Sequence, residues 1–309
     1  MTPDDFRVSV IITSYNQKHY LIEAVESVIG QTLRPHEIIV ADDHSTDGES
    51  VEIIGDYAAR YPGWIKGVFQ PQNIGIPKNR NAALRQVTGN YITILDGDDR
   101  FLPDKLQRER AALNSLPPAG CAYSNVRYID SEGRPKACRD QHELPSGDVF
   151  TFIAQGRFGL LRSMVIDYTL LQRSGFFRED LPSYDGFELT VRAARDSRFA
   201  YIGDPLVENR VHDVSYQTKM KARDHVHDLQ IIYHTMRPWL AGLPAAEKEQ
   251  IILAWQGLLL RFRLRDALEQ KSRMKAYAVL LWSVGKNRSR WKSLRYVAQK
   301  EMPGLWPFS

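Results

Sequence analysis

The first hundred residues alternate between short apolar runs and amphipathic segments, and this alternation restricts the chain to few folds. Four apolar runs predict strands, at residues 8–13, 37–41, 65–69 and 92–95. Segments with apolar residues at helical spacing lie between them, at residues 20–29, 48–61 and 77–87. Continuously apolar strands separated by helices are typical of a sheet buried on both faces. The sequence therefore predicts an α/β fold with a doubly wound, mostly parallel sheet flanked by helices.

Polar and charged residues follow the predicted strands, which themselves stay apolar. These residues are Ser14, Tyr15 and Asn16 after the first strand, Asp42 and Asp43 after the second, Asn73 and Arg80 after the third, and Asp96 to Asp99 after the fourth. Because the carboxyl ends of parallel strands meet at one edge of a sheet, ligands bind at that edge. The sequence therefore predicts one binding site assembled from four successive loops.

Three carboxylates, Asp96, Asp98 and Asp99, crowd the end of the fourth predicted strand. Carboxylates repel one another and are costly to desolvate, so such a cluster needs a cation or a well-solvated loop. A divalent cation that bridges to phosphate oxygens is one explanation, and a solvated acidic turn is the alternative. The position of the cluster beside three other polar loops favours the cation.

The loop after the first strand argues against two kinds of nucleotide chemistry. Residues 14–19 contain no glycine, whereas a dinucleotide-binding fold needs Gly-x-Gly-x-x-Gly there, so hydride transfer is disfavoured. The sequence also contains no Gly-Lys-Ser/Thr phosphate loop, which argues against phosphoryl transfer from ATP by that route. The acidic strand end therefore predicts a diphosphate and metal site that lacks those phosphate-binding loops.

Four segments of the chain resemble the motifs of family 2 glycosyltransferases, which have the GT-A fold. They are residues 8–16, 37–47, 73–81 and 95–99, in the order and at the spacing of that family. The resemblance covers residues 6–215 and is specific for the family but not for the substrate. It implies a nucleotide-sugar donor, a Mn or Mg cofactor and inversion at the anomeric carbon.

The resemblance also implies how the donor is bound. Thr13 and Tyr15 would line the nucleoside pocket, and Asp42 would accept a hydrogen bond from the base. Arg80 would lie near the phosphates, whose oxygens suit a planar cation, with a surface charge as the alternative. Asp96 would face the ribose or the metal.

Two residues are the implied metal ligands. Asp98 would hold the ion across the diphosphate. His212 ends a segment that resembles the late Arg-x-His of the family, whose histidine closes the metal or diphosphate site. An ordinary core or surface histidine is the alternative for His212.

The general base is where this chain departs from the family pattern. An inverting transfer needs a carboxylate that takes the proton of the acceptor hydroxyl. Aligning Leu189 and Arg192 with the family's Leu-x-x-Arg puts Asp185 on the usual Glu and Gly186 on the usual catalytic Asp. Asp185 is the preferred catalytic residue, while Glu188, or no base at all, remain alternatives.

Charge and cysteine content bear on location. Between residues 271 and 300 there are nine Lys or Arg and no Asp or Glu, whereas the preceding residues carry 32 basic and 36 acidic side chains. This basic segment predicts contact with an anionic surface such as a membrane, and a solvated helical face is the alternative. Two cysteines and a polar, acidic beginning without a secretion signal favour the cytoplasm, at the inner face of the plasma membrane.

These patterns together predict two domains and one leading function. Residues 1–215 form the catalytic domain, and residues 216–309 form a basic helical extension that includes helices at 246–268 and 277–282. We expect a metal-dependent hexosyltransferase that moves a sugar, from UDP in the first instance, to a glycan or lipid-linked glycan acceptor. The alternative is an inactive nucleotide-sugar-binding or scaffold protein. No nucleic-acid-binding module is recognisable, and an oligomer stays open.

Overall fold

The computed structural model describes residues 6–138, 144–156, 161–181, 183–212 and 220–270. The contacts divide the chain into two units. The first combines Met1–Phe150 with Phe158–Asp213, and the second combines Thr151–Arg157 with Val214–Ser309. The division predicted at residue 215 lies outside the described residues.

Within the described part of the first unit, nine strands form one sheet. In chain order they are β1 (Val8–Ser14), β2 (Glu37–Asp42), β3 (Ile65–Phe69), β4 (Tyr91–Asp96), β5 (Arg100–Phe101), β6 (Ala119–Ile129), β7 (Pro135–Cys138), β8 (Met164–Asp167) and β9 (Arg198–Arg210). Their order across the sheet is β3-β2-β1-β4-β8-β6-β9-β5, and β7 pairs with β6. Strands β1 to β4, β6 and β9 run one way, and β5, β7 and β8 run the other way. The prediction of a mostly parallel sheet is confirmed.

Helices connect and flank these strands. In chain order they are α1 (Leu21–Ile29), α2 (Ser50–Arg60), α3 (Ile76–Leu84), α4 (Lys105–Ser115), α5 (Phe150–Ala154), α6 (Tyr168–Ser174), α7 (Asp185–Asp196), α8 (Ala222–Met236) and α9 (Ala245–Glu269). Short 3-10 turns occupy Leu161–Ser163 and Arg237–Gly242. The seven elements predicted in the first hundred residues are all present, each end within three residues of its predicted position.

Periodicity explains why these segments form helices and strands. The buried residues of α1 are three or one apart and form a single stripe, comprising Leu21, Ala24, Val25 and Val28. Strand β2 is buried at all six positions, as a central strand covered on both faces must be. The apolar stripes of the helices and the apolar strands share one core, which fixes the carboxyl ends of β1, β2 and β4 side by side.

Strand β9 differs most from its predicted extent. The sequence predicts a strand only over residues 199–202, but β9 continues to Arg210 beside β6. Gly203 and Pro205 break the strand pattern in the sequence. The pairing with β6 absorbs them through irregular register around Asn125, where Asn125 pairs with Pro205. A register shift of this kind tolerates residues that a regular central strand excludes.

The second unit is helical in its described part. The predicted helix at 246–268 is confirmed as α9, while the predicted helix at 277–282 lies outside the described residues. Trp255 of α9 is buried, its ring contacts Tyr233 of α8, and its indole N–H donates to the carbonyl of Ala154. Among the described residues, no helix is both long enough and apolar enough to cross a membrane.

At the amino ends of the strands, Glu37 ties several segments together. This buried carboxylate accepts from the hydroxyl of Ser9 on β1 at 2.7 Å and from the amide of Thr88 at 2.6 Å. It also forms an ion pair of 2.6 Å with Lys66 on β3. Burial alone would raise the pKa of Glu37, but the hydrogen bonds from Lys66, Ser9 and Thr88 outweigh it and lower the pKa to about 2.

We expect Glu37→Gln to make the free energy of unfolding less dependent on pH. The folded pKa of about 2 lies below the ordinary value of 4.5, so the stabilisation is complete above pH 4.5 and is lost as the pH falls toward 2. Because Lys66 is half-exposed, the substitution should lower the free energy of unfolding by about 2 kcal/mol at pH 7. Urea unfolding at pH 7 and pH 3 measures this, and the difference should shrink at pH 3. Glu52→Gln, on the exposed face of α2, is the control, and an equal effect of both substitutions would contradict the prediction.

Candidate active site

The loops after β1 and β2 are joined at the carboxyl edge of the sheet. The side-chain oxygen of Asn16 accepts from the amide of Thr46 at 2.7 Å, and the amide of Asn16 donates to the hydroxyl of Ser45 at 2.8 Å. Asn16 and His44 both have left-handed backbones, with φ of 54° and 64°. Non-glycine residues adopt this conformation rarely and often at binding sites, where the surroundings hold them.

Asp42 and Tyr15, both predicted donor-binding residues, belong to these joined loops. The carboxylate of Asp42 is buried and accepts from the amide and the hydroxyl of Ser45, at 2.7 and 2.5 Å. Tyr15 is 46% exposed, which is unusual for a large aromatic side chain and leaves its ring accessible to a ligand.

Asp43 attaches the loop after β3 to the same edge. Its two carboxylate oxygens accept from the amides of Ile74 and Gly75, at 2.8 and 2.9 Å, immediately before helix α3. Burial raises the pKa of Asp43, and these two amides act in the opposite direction. A carboxylate at the amino end of a helix is favourable because of the free amides there. Asp43 thereby fixes the position of α3, which carries Arg80.

Arg80 connects two of the predicted site residues. Its guanidinium is buried and forms ion pairs of 2.8 Å with Asp96 at the end of β4 and with Asp185 at the start of α7. Thr13 of β1 also donates to Asp96, at 3.2 Å. Burial by itself would lower the pKa of Arg80, but the two carboxylates raise it above its ordinary value. The structure therefore brings Thr13, Arg80, Asp96 and Asp185 into one continuous set of contacts.

Asp98 and His212 form the second set of contacts. Nε2 of His212 lies 2.9 Å from a carboxylate oxygen of Asp98, and both side chains are about 15% exposed. One oxygen from each of Asp96, Asp98 and Asp99 lies within 4.8 Å of the others. The oxygens of Asp99 accept from the side chain of Asn209 and from the amide of Arg210. Among the described residues, Asp96, Asp98 and Asp99 form a group of carboxylates that could hold a divalent cation, since carboxylate oxygens are the ligands Mg²⁺ and Mn²⁺ prefer, and His212 adjoins this group through Asp98.

Gly97 lets the acidic loop turn closely over β1. Its amide donates to the carbonyl of Thr13 at 2.8 Å. A Cβ at this position would lie 2.9 Å from that carbonyl and 2.4 Å from the side-chain oxygen of Gln17. The backbone contact cannot move away easily, so the absence of a side chain at residue 97 allows the close approach.

The region expected to hold the base is closely packed. Asp185 is buried and paired with Arg80, as described above. A Cβ on Gly186 would lie 2.7 Å from the side chain of Leu161, so Leu161 already fills the space beside residue 186. Glu188 is buried in a two-oxygen ion pair with Arg192, which also donates to backbone carbonyls before α7. Glu188 is thus engaged in holding the start of α7, and Asp185 is the carboxylate that adjoins the rest of the site.

Sequence reasoning did not give individual roles to three residues that shape this site. Asn209 and Arg210 hold the acidic loop, and Leu161 lies beside Gly186. The segment that ends in His212 pointed toward the first two. Leu161 belongs to residues 159–164, which the sequence predicts to border the acceptor, but no pattern there assigns it a role of its own.

Residues 9–178 match the sequence profile of the family described as Glycosyl transferase family 2. This match covers more than half of the chain, and the chain therefore belongs to glycosyl transferase family 2. An uncharacterized glycosyltransferase of Rickettsia prowazekii is 27% identical over 253 residues, covering 80% of this chain and 74% of that protein. TuaG of Bacillus subtilis, named for teichuronic acid biosynthesis, is 38% identical over 131 residues, covering 41% of this chain and 50% of that protein. The chain spans only 37% of the length of an uncharacterized Mycobacterium tuberculosis protein to which it is 37% identical.

Solved structures share the fold at low sequence identity. S. aureus TarS 1-349 in complex with UDP-GlcNAc has a TM-score of 0.63 at 19% identity, over 95% of this chain and 80% of that one. The mannosyltransferase PcManGT of Pyrobaculum calidifontis, in complex with GDP-Man and Mn²⁺, also has a TM-score of 0.63 at 19% identity, over 98% of this chain and 81% of that one. The expectation of a GT-A fold is confirmed.

We expect Gly97→Ala to disturb the acidic loop and Gly55→Ala to be harmless. The methyl group at residue 97 would collide with the backbone of β1, which should lower the free energy of unfolding by about 1–3 kcal/mol. A Cβ on Gly55, within helix α2, meets no atom within 4 Å, so alanine there should stabilise the protein by up to about 1 kcal/mol. Chemical denaturation of both variants measures the difference. The description of the loop is wrong if both alanines are tolerated equally.

Proposed function

We propose that this protein transfers a hexose from a nucleotide-sugar donor, a UDP-sugar, to a glycan or lipid-linked glycan acceptor, with inversion and with Mn or Mg as cofactor. The observation that carries the proposal is the convergence of two sets of contacts at one sheet edge. Thr13, Asp96, Arg80 and Asp185 form the first set, and Asp98 with His212 forms the second. The proposed binding groups, metal ligands and base are therefore residues that adjoin one another.

The donor nucleotide binds across β1, β2 and β4 in this proposal. Thr13 and Tyr15 line the nucleoside pocket, and the exposed ring of Tyr15 supports that role. Asp42 accepts from the base while its two bonds to Ser45 hold the carboxylate in place. Asp96 faces the ribose or the metal, and its contact with Arg80 brings a fixed positive charge close to the diphosphate.

Asp98 and His212 hold the metal in this proposal. When bound, the ion supplies a positive charge that stabilises the negative charge developing on the departing nucleoside diphosphate. His212 reaches Asp98 from the end of β9, a different part of the chain, so it can close the site over the diphosphate.

Asp185 acts as the general base in this proposal. It takes the proton of the acceptor hydroxyl as that oxygen attacks the anomeric carbon, and the bond from that carbon to the diphosphate breaks on the opposite side. Arg80 orients Asp185 through the ion pair at 2.8 Å. Because Arg80 also contacts Asp96, the base is positioned relative to the donor-binding strand.

The proposals for the acceptor and the location are supported by a relative and by the charge distribution. TuaG of B. subtilis is named for the synthesis of teichuronic acid, and we propose that this protein also acts in cell-surface polysaccharide assembly. The basic residues between 271 and 300 would attract an anionic membrane surface that carries the acceptor. The protein would then work at the inner face of the plasma membrane.

A second candidate function is favoured by one observation. Gly186 stands where the family usually has its catalytic Asp, and Leu161 fills the space that a side chain there would need. This arrangement supports the alternative that the protein binds a nucleotide sugar without transferring the sugar. The two functions share the donor site and differ only in whether Asp185 serves as a base.

We expect one nucleotide sugar to bind in a metal-dependent manner. Isothermal calorimetry with UDP-, GDP- and TDP-sugars, with and without Mn²⁺, identifies the donor. Asp98→Ala should abolish the metal-dependent part of the affinity because it removes a ligand. Asp104→Ala, an exposed acid just before α4, should leave binding unchanged. If none of the three kinds of nucleotide sugar binds, the donor-site proposal is contradicted.

We expect Asp185→Asn to lower the rate of transfer about 100-fold or more while donor binding is retained. An asparagine can still accept from Arg80 but cannot take a proton, so the packing of the site is preserved. Release of UDP in the presence of acceptor measures the rate, and calorimetry measures donor binding. Asp196→Asn, at the other end of α7, is the matched control. An unchanged rate in Asp185→Asn would show that this carboxylate is not the base.

A further inference from the structure

Arg210 contacts several groups beside the acidic loop. Its guanidinium is almost completely buried, with a side-chain exposure of 1%. Nε donates to the carbonyl of Asp98 at 2.9 Å. Nη1 donates to the carbonyls of Asp130 and Ser131, and Nη2 pairs with Glu23 at 2.8 Å. One cation therefore joins the acidic loop, the turn after β6 and helix α1.

Neighbouring residues of β9 hold the same loop at other points. The side chain of Asn209 and the amide of Arg210 both donate to the carboxylate of Asp99. His212, two residues further on, contacts the carboxylate of Asp98. The end of β9 thus binds the loop through the backbone of Asp98, the side chain of Asp98 and the side chain of Asp99. These contacts leave little freedom for the loop relative to β9.

The ring of Tyr20 links Arg210 to His212. The guanidinium carbon of Arg210 lies 4.5 Å from the centre of this ring, a distance typical of a cation–π contact. The ring centre of Tyr20 lies 5.4 Å from that of His212. Arg210 therefore acts on both proposed metal ligands, on Asp98 through its backbone and on His212 through Tyr20.

We propose that Arg210 is a positioning residue that sets the distance and direction between Asp98 and His212, and so determines metal affinity. This inference rests on the proposed metal-dependent function. Residues that orient metal ligands without touching the metal typically contribute about 10- to 100-fold to metal affinity. Asp99 has a related role, because both of its carboxylate oxygens accept hydrogen bonds from Asn209 or Arg210 of β9.

The test is the affinity for Mn²⁺ in the presence of UDP, measured from the EPR signal of free Mn²⁺ in full-length protein. Arg210→Lys keeps the charge, but a single nitrogen cannot reach the carbonyl of Asp98, the turn after β6 and Glu23 together. We expect its Kd for Mn²⁺ to rise about tenfold. The affinity for UDP without metal should stay unchanged, which a general loss of structure would not allow.

Two further variants make the outcome decisive. Arg127→Lys is the control, because Arg127 pairs with Glu208 in the same part of the sheet and does not touch the acidic loop. The Mn²⁺ affinity of this variant should stay within twofold of wild type. Glu23→Gln removes the charge that pairs with Nη2 of Arg210 and, at 3.0 Å, with Nη1 of Arg100, and it should weaken Mn²⁺ binding about threefold. If Arg210→Lys does not fold, Glu23→Gln decides the question.

The results separate this inference from the proposed function. The role of Arg210 alone would be overturned if wild type and Arg210→Lys bound Mn²⁺ with equal affinity. If the lysine variant is unfolded, equal affinity in wild type and Glu23→Gln would overturn it. Absence of Mn²⁺ binding by wild type would overturn the metal site, and with it both this inference and the metal-dependent part of the proposed function.

Discussion

Buried carboxylates require donors, and at this sheet edge the donors come from distant parts of the chain. Asp43 accepts hydrogen bonds from amides of the loop after β3, Asp96 pairs with a guanidinium of α3, and Asp99 accepts a hydrogen bond from an amide of β9. A buried charge without a partner is costly enough to unfold a protein of ordinary stability. Folding therefore has to bring these loops together, and the same contacts that satisfy the acids also assemble the site.

The two edges of the sheet satisfy their acids differently. At the amino edge, Glu37 is enclosed by Ser9, Lys66 and Thr88, and its low pKa reflects a closed, purely structural cluster. At the carboxyl edge, Asp98 has a histidine as its side-chain partner and both remain partly exposed. Imidazole nitrogens and carboxylate oxygens are both metal ligands, whereas the ammonium group of a lysine offers no lone pair to a metal. This difference supports the proposal that the ligand binds at the carboxyl edge.

How far the sequence predicts this structure depends on the range of the interactions. Local periodicity predicts the first four strands and three helices, and the position of polar residues after strands predicts the site edge. The contact of Arg80 with Asp185 spans 105 residues, and no local pattern encodes it. The sequence predicts only residues 199–202 of β9, because Gly203 and Pro205 read as a break, while the pairing with β6 accommodates them through an irregular register. The metal ligands, the donor-binding residues and the base remain predictions.

The packing of Leu161 against Gly186 makes these two positions interdependent. A side chain at residue 186 requires Leu161 to shift or to be replaced by a smaller residue. The residue that fits at 186 therefore depends on the residue at 161. Among homologues the two should covary, with acid at the position of Gly186 accompanied by a small residue at the position of Leu161. A redesign that introduces an aspartate at 186 has to begin by making space at 161.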